Sequence, residues 1–386
     1  MSLRVLMNAG PWLPVPPRGY GGIESVVATL VPELRARGVE VVLATVGTST
    51  LPADEVLRPL AEGRLASVAA PYNRVAGIAH AHMGGVARWL REHEVDLVHD
   101  HLEVVGPAVL GAMGRTAPPA LQTLHWDLGR HRDFYTSFEG DGRVRFAAVS
   151  RDQLRRAPAN LARQTAGVVP LAVPDPPTAP GPRGEHVLAL ARITADKGQD
   201  LAALACHAAG VPLVLAGPVA GFDGPAELEH GLAVDPGLAG HPDVRFWLDH
   251  VAPLVDGELV RWVGGVSGEQ KERLLATARA LLTPVRWPEP GATSVGEALV
   301  RGVPVVGTRC GVLPDLVAHG TTGWLADPPG PPGQDPSTSV AELGDLLGAL
   351  DDLSPAACRR AGEAWSPATM AQAYLDLYAR VLADAA

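Results

Sequence analysis

Short apolar runs alternate with amphipathic stretches along most of the chain. The runs are rich in Val, Leu and Ala, whereas the stretches between them repeat apolar residues at helical spacing. This alternation predicts strand-helix-strand units with parallel strands, and therefore an α/β fold. We expect strands near residues 3–7, 41–45, 96–98, 121–124 and 146–149 in the first half of the chain, and near residues 187–191, 213–216, 259–263, 280–283 and 303–306 in the second.

The helices are predicted from the same pattern and from their end signals. Gly38 follows the first helix, over residues 25–37, and Ser150 opens a capping-box sequence. Region 222–256 fits no simple element, and we interpret residues 244–247 and 260–263 as the two arms of a hairpin. Further helices are expected near residues 199–209, 269–277, 294–301, 313–319, 340–350, 355–363 and 368–383.

A proline-rich segment divides the chain. Residues 170–184 contain too many prolines for a helix or a central strand, so they are predicted to be a linker. A length of 386 residues also suits two domains better than one. We therefore expect one Rossmann-like domain over residues 1–170, a linker over 171–184, and a second such domain over 185–365. The last segment, residues 366–386, is predicted to be a helix that returns toward the first domain.

Composition narrows the class of protein. Hydrophobic residues make up 47% of the chain and charged residues 19%, which favours a folded protein with sizeable cores. The formal net charge of −10 argues against nucleic acid as a partner. No apolar stretch approaches the ~20 residues that a membrane span needs. The 3 cysteines are far apart and form no Cys-x-x-Cys pair, so we expect no zinc site and a reducing, cytoplasmic setting.

Two loops that follow predicted strands have the chemistry of an anion site. The first contains Gly21 and Gly22, which let backbone N–H groups approach an anion at a helix N-terminus. The alternative is a tight turn without a ligand. The second contains Arg192 and Lys197, whose charges suit a diphosphate. Lys197 and Lys271 are the only lysines among 32 basic residues, yet a pair of solvated surface charges remains the alternative.

A third loop carries two glutamates. Glu289 and Glu297 bracket a predicted strand-to-helix turn whose small residues expose backbone amides. Glu297 is expected in the first turn of the helix, where the helix dipole alone would explain an acid. Glu289 stands between two prolines and needs a partner or a position in a cleft.

Histidines follow two strands of the first domain. His125 comes after one of them, with Asp127 two residues later, and His99-Asp100-His101 comes after another. A lone histidine is often structural, but the end of a parallel strand is also where ligands bind. Adjacent residues of an extended chain point to opposite faces, which disfavours a metal site at residues 99–101. Asp100 or His101 is instead a candidate to meet an acceptor molecule.

These motifs, together with the run from Glu297 through Gly302, Pro304 and Thr308 to Gly323, resemble the retaining glycosyltransferases of family 4. The resemblance covers nearly the whole chain and is densest over residues 260–326. It implies the GT-B fold, in which two Rossmann-like domains face a central cleft. The resemblance also implies roles for single residues: Arg192 and Lys197 hold the donor diphosphate, and Gly21 and Gly22 approach it from the other domain. Glu297 binds the ribose, and Val266 flanks the base. The sugar is held by Glu289 and by the amides of Gly291, Ala292 and Thr293, with His125 near its outer hydroxyls. The expected catalytic set is Glu289, His125, Arg192 and Lys197, and the acceptor candidates are Asp100, His101 and Asp127.

One departure from the family pattern narrows the group of members that the chain resembles. Many members have an aromatic residue followed by glycine where this chain has Gly291-Ala292-Thr293, a variant similar to members that tailor bacterial antibiotics. The implied activity is transfer of a hexose or modified sugar from a nucleoside diphosphate to a small molecule, without a metal or other cofactor. The absence of any Asp-x-Asp sequence agrees with a site that holds no metal. The base, the sugar, the acceptor and a homodimeric state are left open.

Three rival functions are weighed against this one. A sugar-nucleotide sensor would keep the fold without the chemistry, but Glu289, Arg192 and Lys197 are intact, which argues against it. A nicotinamide-dependent oxidoreductase is disfavoured by the degenerate glycine loop. A transferase that works on a lipid or polysaccharide precursor at a membrane surface would need a basic patch, and the first helix offers only Arg35 and Arg37.

Overall fold

The computed structural model describes residues 2–19, 21–67, 72–177, 182–331 and 333–385. The chain divides into two compact units, which we call unit 1 (Met1–Pro174 with Ser366–Ala386) and unit 2 (Asp175–Trp365). Part of the predicted linker, residues 178–181, lies outside the described residues. Each unit is built on one parallel sheet, so the predicted α/β class with two Rossmann-like domains is confirmed.

Unit 1 contains a seven-stranded sheet in the order β3-β2-β1-β4-β5-β6-β7. All of its strand pairs are parallel; Leu6, for example, lies opposite Val42 on one side and Val98 on the other. The strands are β1 Arg4–Asn8, β2 Glu40–Val46, β3 Glu55–Leu60, β4 Leu97–Asp100, β5 Ala120–Leu124, β6 Val144–Ala148 and β7 Thr165–Val168.

Alternation along the strands gives unit 1 two cores. Val5 and Met7 face one side of the sheet, whereas Leu6 faces the other, since successive side chains of a strand point to opposite faces. Helices α1 (Gly22–Ala36) and α15 (Pro367–Ala385) cover the first side. The other helices of unit 1 are α2 Tyr72–Leu90, α3 Val105–Met113, α4 Arg132–Ser137, α5 Arg151–Arg156 and α6 Ala159–Gln164.

Unit 2 contains a six-stranded parallel sheet in the order β10-β9-β8-β11-β12-β13. Its strands are β8 Val187–Leu190, β9 Leu213–Ala216, β10 Val260–Trp262, β11 Ala280–Thr283, β12 Val305–Thr308 and β13 Gly323–Ala326. Its helices are α7 Gln199–Ala209, α8 Pro225–Val234, α9 Pro242–Phe246, α10 Gly268–Thr277, α11 Thr293–Val300, α12 Leu313–Leu316, α13 Ser337–Gly348 and α14 Pro355–Gly362. Helices α7 and α13 cover one face, and α10, α11 and α14 cover the other.

The hairpin predicted for residues 244–247 and 260–263 is wrong. Val244 lies in helix α9, which begins with Pro242 and is capped by the side chain of His241. Val244 and Phe246 are buried there, and Trp247 packs against Trp262 with ring centroids 4.3 Å apart. The second predicted arm is strand β10, which pairs in parallel with β9.

The order of strands reverses direction once in each sheet. In unit 1, successive strands run from β1 to β3 toward one edge of the sheet and from β4 to β7 toward the other; in unit 2 they run from β8 to β10 and from β11 to β13. We call the place between β1 and β4, or between β8 and β11, the reversal point of the sheet. In open parallel sheets, ligands bind outside the carboxyl ends of the strands at such a point. The loops after β8 and β11, and those after β1 and β4, are therefore the places to look for a site.

Candidate active site

Two loops meet beside the reversal point of unit 2. One follows β8 and spans residues 191–198; the other follows β11 and spans residues 284–292. A Cβ on Gly198 would lie 2.1 Å from the carbonyl oxygen of Pro284. On the other side of the second loop, a Cβ on Gly311 would lie 2.2 Å from the backbone nitrogen of Glu289. Both glycines also have positive φ, so no other residue fits at either position without moving the loop.

An arginine that the sequence analysis did not assign locks these loops together. Arg286 forms a two-pronged ion pair with Asp200, at 2.6 and 2.7 Å, and its side chain is only 6% exposed. Its backbone N–H donates to the carbonyl oxygen of Asp196 at 2.8 Å. A planar guanidinium matches a carboxylate in this geometry, which fixes position as well as adding energy. Its place in a loop after a buried strand was a signal in the sequence, but its partner lies 86 residues away.

Lys197 and Glu289, which were assigned to diphosphate and sugar, are direct partners. The ammonium of Lys197 contacts the carboxylate of Glu289. The indole Nε1 of Trp287 donates to the same carboxylate oxygen at 2.9 Å, and the Lys197 ammonium lies 5.2 Å from the centre of that ring. The two charged side chains are 20% and 12% exposed. Each charge is thus balanced in the protein while it stays in reach of a ligand.

The second glutamate pairs with the second lysine. Lys271 of α10 donates to Glu297 of α11 at 2.5 Å. Helix α11 begins at Thr293, so Glu297 lies in its second turn and the expectation of a first-turn position is wrong. The helix dipole therefore does not explain this acid, but Lys271 does. The chain's only two lysines thus pair with the two glutamates of the predicted site.

The N-terminus of α11 completes this edge of unit 2. Ala292 has a left-handed conformation with φ 43°, which turns the chain from the Glu289 loop into the helix. Gly291, Ala292 and Thr293 therefore stand at the positive end of a helix. Ser294 lines a small recess together with Lys197 and the ends of β8 and β11. A cation and a helix N-terminus thus share one spot, a combination that suits an anion.

Arg192 and Val266 lie on the loops after β8 and β10. The carbonyl oxygen of Arg192 accepts a hydrogen bond from the side chain of Gln199 at 2.8 Å, which closes the turn that carries Lys197. Val266 is half-buried and precedes α10, the helix that supplies Lys271 to Glu297. The structure therefore joins the Val266 loop to Glu297 through α10.

In unit 1, the glycine loop leads into α1. Gly21 is the N-cap, where a Cβ would lie 2.6 Å from Pro17, whereas the Cα of Gly22 faces open space. Glu24 in the first turn is buried, and burial raises its pKa from 4.5 to about 7 against the opposing hydrogen bonds from its own N–H and that of Leu13. A packed glycine next to an open one leaves the helix N-terminus accessible at Gly22.

His125 is half-buried and contacts a pair of buried histidines, His99 and His101, through His101. Its Nε2 lies 2.8 Å from Nδ1 of His101, whose Nε2 is 3.2 Å from the sulfur of Met7. His99 bonds instead to the hydroxyl of Tyr378 on α15, at 2.6 Å. Burial lowers the pKa of His99 and of His125 to about 3, and that of His101 well below its usual value. All three rings are therefore neutral near pH 7.

The acceptor candidates are placed differently from one another. Asp100 is 0% and His101 1% exposed. Asp100 accepts a hydrogen bond from Asn8 at 2.6 Å, so both side chains are engaged inside unit 1 and their burial argues against direct contact with an acceptor. Asp127 is 28% exposed, but it accepts from the N–H of Gly129 and lies 3.5 Å from Arg156. It caps a short helical turn.

The sequence analysis also passed over Glu103, which accepts hydrogen bonds from the backbone of His125 and Trp126. Its proximity to His101 in the segment after β4 was the only signal. Within the described ranges, no group of three or more His, Cys, Asp or Glu side chains is placed to hold a metal ion. The helices of those ranges include none with the length and apolar character that a membrane crossing requires.

A cavity of about 400 Å³ lies at the opposite, amino-terminal edge of the unit 2 sheet. Two of its three arginines have partners: Arg183 donates to the carbonyl oxygen of Gly302 at 2.7 Å, and Arg301 donates to Glu272 at 2.5 Å. Gly302 follows the last turn of α11, where a cation complements the helix dipole. These contacts explain Arg183 and Arg301 without a ligand, whereas the site residues predicted from the sequence lie at the carboxyl edge.

Comparisons with known proteins agree with this architecture. Residues 20–166 match the family model described as Glycosyltransferase Family 4, and residues 179–332 match Glycosyl transferases group 1. No curated protein matches the chain. Among solved structures, AviGT4, a glycosyltransferase involved in avilamycin A biosynthesis, is 28% identical, with 99% of this chain and 98% of that one covered and a TM-score of 0.64.

Two further structures share the fold at lower identity. Sucrose-phosphate synthase from Thermosynechococcus elongatus is 19% identical, with 99% of both chains covered and a TM-score of 0.71. Anabaena HepE in complex with UDP and glucose is 17% identical, with 98% of this chain and 100% of that one covered and a TM-score of 0.65. The two family models and the two parallel-sheet units together identify the chain as a glycosyltransferase of the GT-B type.

Proposed function

We propose that this protein is a retaining, metal-independent glycosyltransferase of family 4 that moves a sugar from a nucleoside diphosphate to a small-molecule acceptor in secondary metabolism. The observation that carries the proposal is the Lys197–Glu289 pair beside the N-terminus of α11, at the reversal point of unit 2. The role of AviGT4 in antibiotic biosynthesis supports the metabolic setting. The cysteine pattern supports a cytoplasmic location, and a homodimer remains compatible with the proposal.

The diphosphate is the group that this edge of unit 2 suits best. As the bond to the sugar breaks, negative charge accumulates on the departing diphosphate. Lys197, Arg192 and the first amides of α11 stabilise that charge because they are in place before the reaction. The incoming phosphate takes over the ammonium that Glu289 balances in the free protein. This exchange of partners keeps the ammonium paired in both states and releases the carboxylate of Glu289.

The released carboxylate of Glu289 then faces the sugar. It orients sugar hydroxyls and favours the positive charge that develops at the anomeric carbon, while the amides of Gly291, Ala292 and Thr293 hold the ring. Glu297 binds the ribose hydroxyls, supported by Lys271. Val266 flanks the base, Gly21 and Gly22 approach the diphosphate, and His125 lies near the outer sugar hydroxyls.

Retention of configuration has two routes. A carboxylate can form a covalent intermediate, or the acceptor can attack from the same face with help from the leaving phosphate. We favour the second route, which is the usual proposal for the family that this chain resembles.

A nucleotide screen tests the proposal. Thermal shifts are measured with UDP, GDP, ADP and dTDP for the wild type, for Lys197→Ala and for Arg155→Ala, a control whose side chain is 68% exposed in unit 1. A nucleotide at ~100 times its dissociation constant adds about 2.7 kcal/mol of stability. We expect one nucleotide to stabilise the wild type and the control but not Lys197→Ala. No shift with any nucleotide would overturn the proposal.

Turnover separates an enzyme from a sensor. The nucleotide that binds is supplied as its sugar conjugates, and release of free nucleotide is followed over time. Release above the uncatalysed rate supports the transferase, whereas tight binding without release identifies a non-catalytic sugar-nucleotide-binding protein.

A further inference from the structure

Glu103 is a buried carboxylate with an unusual set of donors. Its Oε1 accepts from the backbone N–H groups of His125 and Trp126, both at 2.6 Å. Its Oε2 accepts from the hydroxyl of Tyr135 at 3.0 Å. One side chain therefore ties the segment after β4 to the segment after β5. These two segments also contain His101 and His125.

The backbone next to Glu103 is strained. Val104 has φ 64° and ψ −62°, and the N–H of Val105 donates to the carbonyl oxygen of Glu103 at 2.7 Å. These values define a γ-turn with positive φ, a rare conformation that is unfavourable for a β-branched residue. Such a conformation persists only where the surrounding structure enforces it, and strained residues of this kind cluster at functional sites.

From this geometry we infer that Glu103 is a positioning residue: through its two backbone hydrogen bonds it fixes the turn that presents the ring of His125 to the sugar. The inference rests on the proposed function for the role of His125. Glu103 itself touches neither donor nor acceptor. It acts on the reaction only by holding the backbone of residues 125 and 126 in place.

The ring of His125 is fixed by a second contact. A thioether has no proton to donate, so the contact between Met7 and His101 requires the proton of His101 on Nε2. Nδ1 of His101 is then an acceptor, and Nε2–H of His125 donates to it. This proton assignment follows from the hydrogen-bond network. It leaves Nδ1 of His125 with its lone pair, ready to accept a hydrogen bond from a hydroxyl. Glu103 fixes the backbone and His101 fixes the ring.

Variants at Glu103 test the inference. In Glu103→Gln, the amide oxygen still accepts from both backbone N–H groups and the NH₂ group donates to the oxygen of Tyr135. Glu103→Ala removes every acceptor. Since small misplacements of a reacting geometry can reduce rates by up to ~100-fold, we expect kcat of Glu103→Ala to fall by about 10- to 100-fold, and that of Glu103→Gln by less than about 3-fold. Tyr135→Phe, which keeps both backbone hydrogen bonds, is the matched control and should behave like Glu103→Gln.

Nucleotide affinity separates the positioning role from a general loss of structure. The nucleotide affinity of unit 2 should stay within about 2-fold in every variant, because those contacts lie in a separate unit. The inference is overturned if Glu103→Ala keeps its kcat, or if Glu103→Gln loses as much activity as Glu103→Ala. Should Glu103→Ala fail to fold by circular dichroism, Glu103→Asp carries the test. Its shorter side chain withdraws the carboxylate from both amides, so an unchanged kcat there would also overturn the inference.

Amide hydrogen exchange keeps this test apart from that of the proposed function. If the wild type transfers no sugar from any donor, the proposed function fails and exchange at residues 125 and 126 decides the positioning role alone. We expect at least ~10-fold faster exchange of these two amides in Glu103→Ala, with wild-type rates in Glu103→Gln and Tyr135→Phe. Unchanged exchange in Glu103→Ala would show that the carboxylate does not hold the turn.

Discussion

The carboxyl edges of the two sheets carry opposite electrostatic designs. In unit 2 the acids and bases are paired and partly exposed, with Lys197 on Glu289 and Lys271 on Glu297. In unit 1 the ionisable groups of residues 99–103 are buried, and burial moves the pKa of each toward its neutral form. The same architecture therefore supports one edge suited to an anion and one suited to neutral hydroxyls.

The difference comes from what covers each edge. Helix α15 places Tyr374 and Tyr378 on Thr123 and His99, which shields the centre of the unit 1 edge from water. The loops of unit 2 instead leave their charged ends in partial contact with solvent. Changes in unit 2 should therefore affect binding and rate, whereas changes at the buried acids of unit 1 should in addition affect the dependence of stability on pH.

The largest effect is expected from Glu289→Gln. The amide keeps the shape but not the charge that favours the transition state, so we expect kcat to fall by about 100- to 1000-fold, the range for loss of one electrostatic group. Nucleoside diphosphate affinity should stay within about 3-fold. Glu297→Gln is the matched variant, with a donor KM about 10-fold higher and kcat nearly unchanged. Steady-state kinetics on both variants measure this, and a wild-type kcat in Glu289→Gln would refute the assignment.

The next effect concerns the cations of unit 2. Lys197→Ala and Arg192→Ala should each weaken nucleoside diphosphate binding by about 1.5–3 kcal/mol, or roughly 10- to 150-fold, because each removes a charged hydrogen-bond donor. Calorimetric titration of each variant gives the value. Arg155→Ala serves as the control and should bind like the wild type. Wild-type affinity in both site variants would contradict the assignment of the unit 2 edge as the anion-binding edge.

The third effect tests the neutral edge through stability. Burial raises the pKa of Glu103 from 4.5 to about 7, although the N–H groups of Trp126 and His125, the hydroxyl of Tyr135 and the charge of Arg130 oppose the shift. A pKa raised on folding contributes stability that is complete below pH 4.5 and is lost as the pH rises through 7. Glu103→Gln should therefore gain stability relative to the wild type between pH 5 and pH 8, by roughly 1–3 kcal/mol.

Melting temperatures of both proteins across this pH range provide the measurement. Asp100 and Glu24 also have a raised pKa of about 7, and they are present in both proteins. The difference between the two curves thus reports on Glu103, including the part of the Asp100 shift that the charge of Glu103 causes. Parallel curves would mean that its carboxyl titrates as it does in the unfolded chain.

The smallest effect is expected from a chelator. In the proposed mechanism, Lys197, Arg192 and the helix amides supply the positive charge at the diphosphate, and the sequence has no Asp-x-Asp pair to hold a metal. Turnover in EDTA should therefore stay within about 2-fold of the untreated rate. A collapse that magnesium restores would show that these groups do not suffice.

The fold was largely predictable because central strands carry continuous apolar runs. Strands β9 and β11 were predicted at their observed bounds. The strands without a prediction, β3, β7 and β13, all lie at sheet edges. Edge strands pair on one side only and tolerate residues such as Pro59 in β3 and Gly167 in β7, which dilute the apolar pattern.

The candidate site was predictable where charged side chains follow directly after a strand. Lys197 and Glu289 were singled out as separate groups, but their pairing joins residues 92 positions apart, which no local pattern reveals. Arg286 and Glu103 were missed for the same reason, because their importance lies in partners far along the chain. Asp100 and His101 show the converse: a strand end places a residue near a site without exposing it.

The Arg286–Asp200 clamp has a consequence for how this enzyme class diversifies. It joins the loops after β8 and β11 through contacts that involve neither Gly291, Ala292 nor Thr293. The two joined loops, which carry the proposed diphosphate-binding residues Arg192 and Lys197, and the short turn of residues 291–293 are thus mechanically separable. We expect substitutions in that turn to explore new donor sugars while the two joined loops keep their shape, which makes the turn the natural target for directed evolution of donor choice.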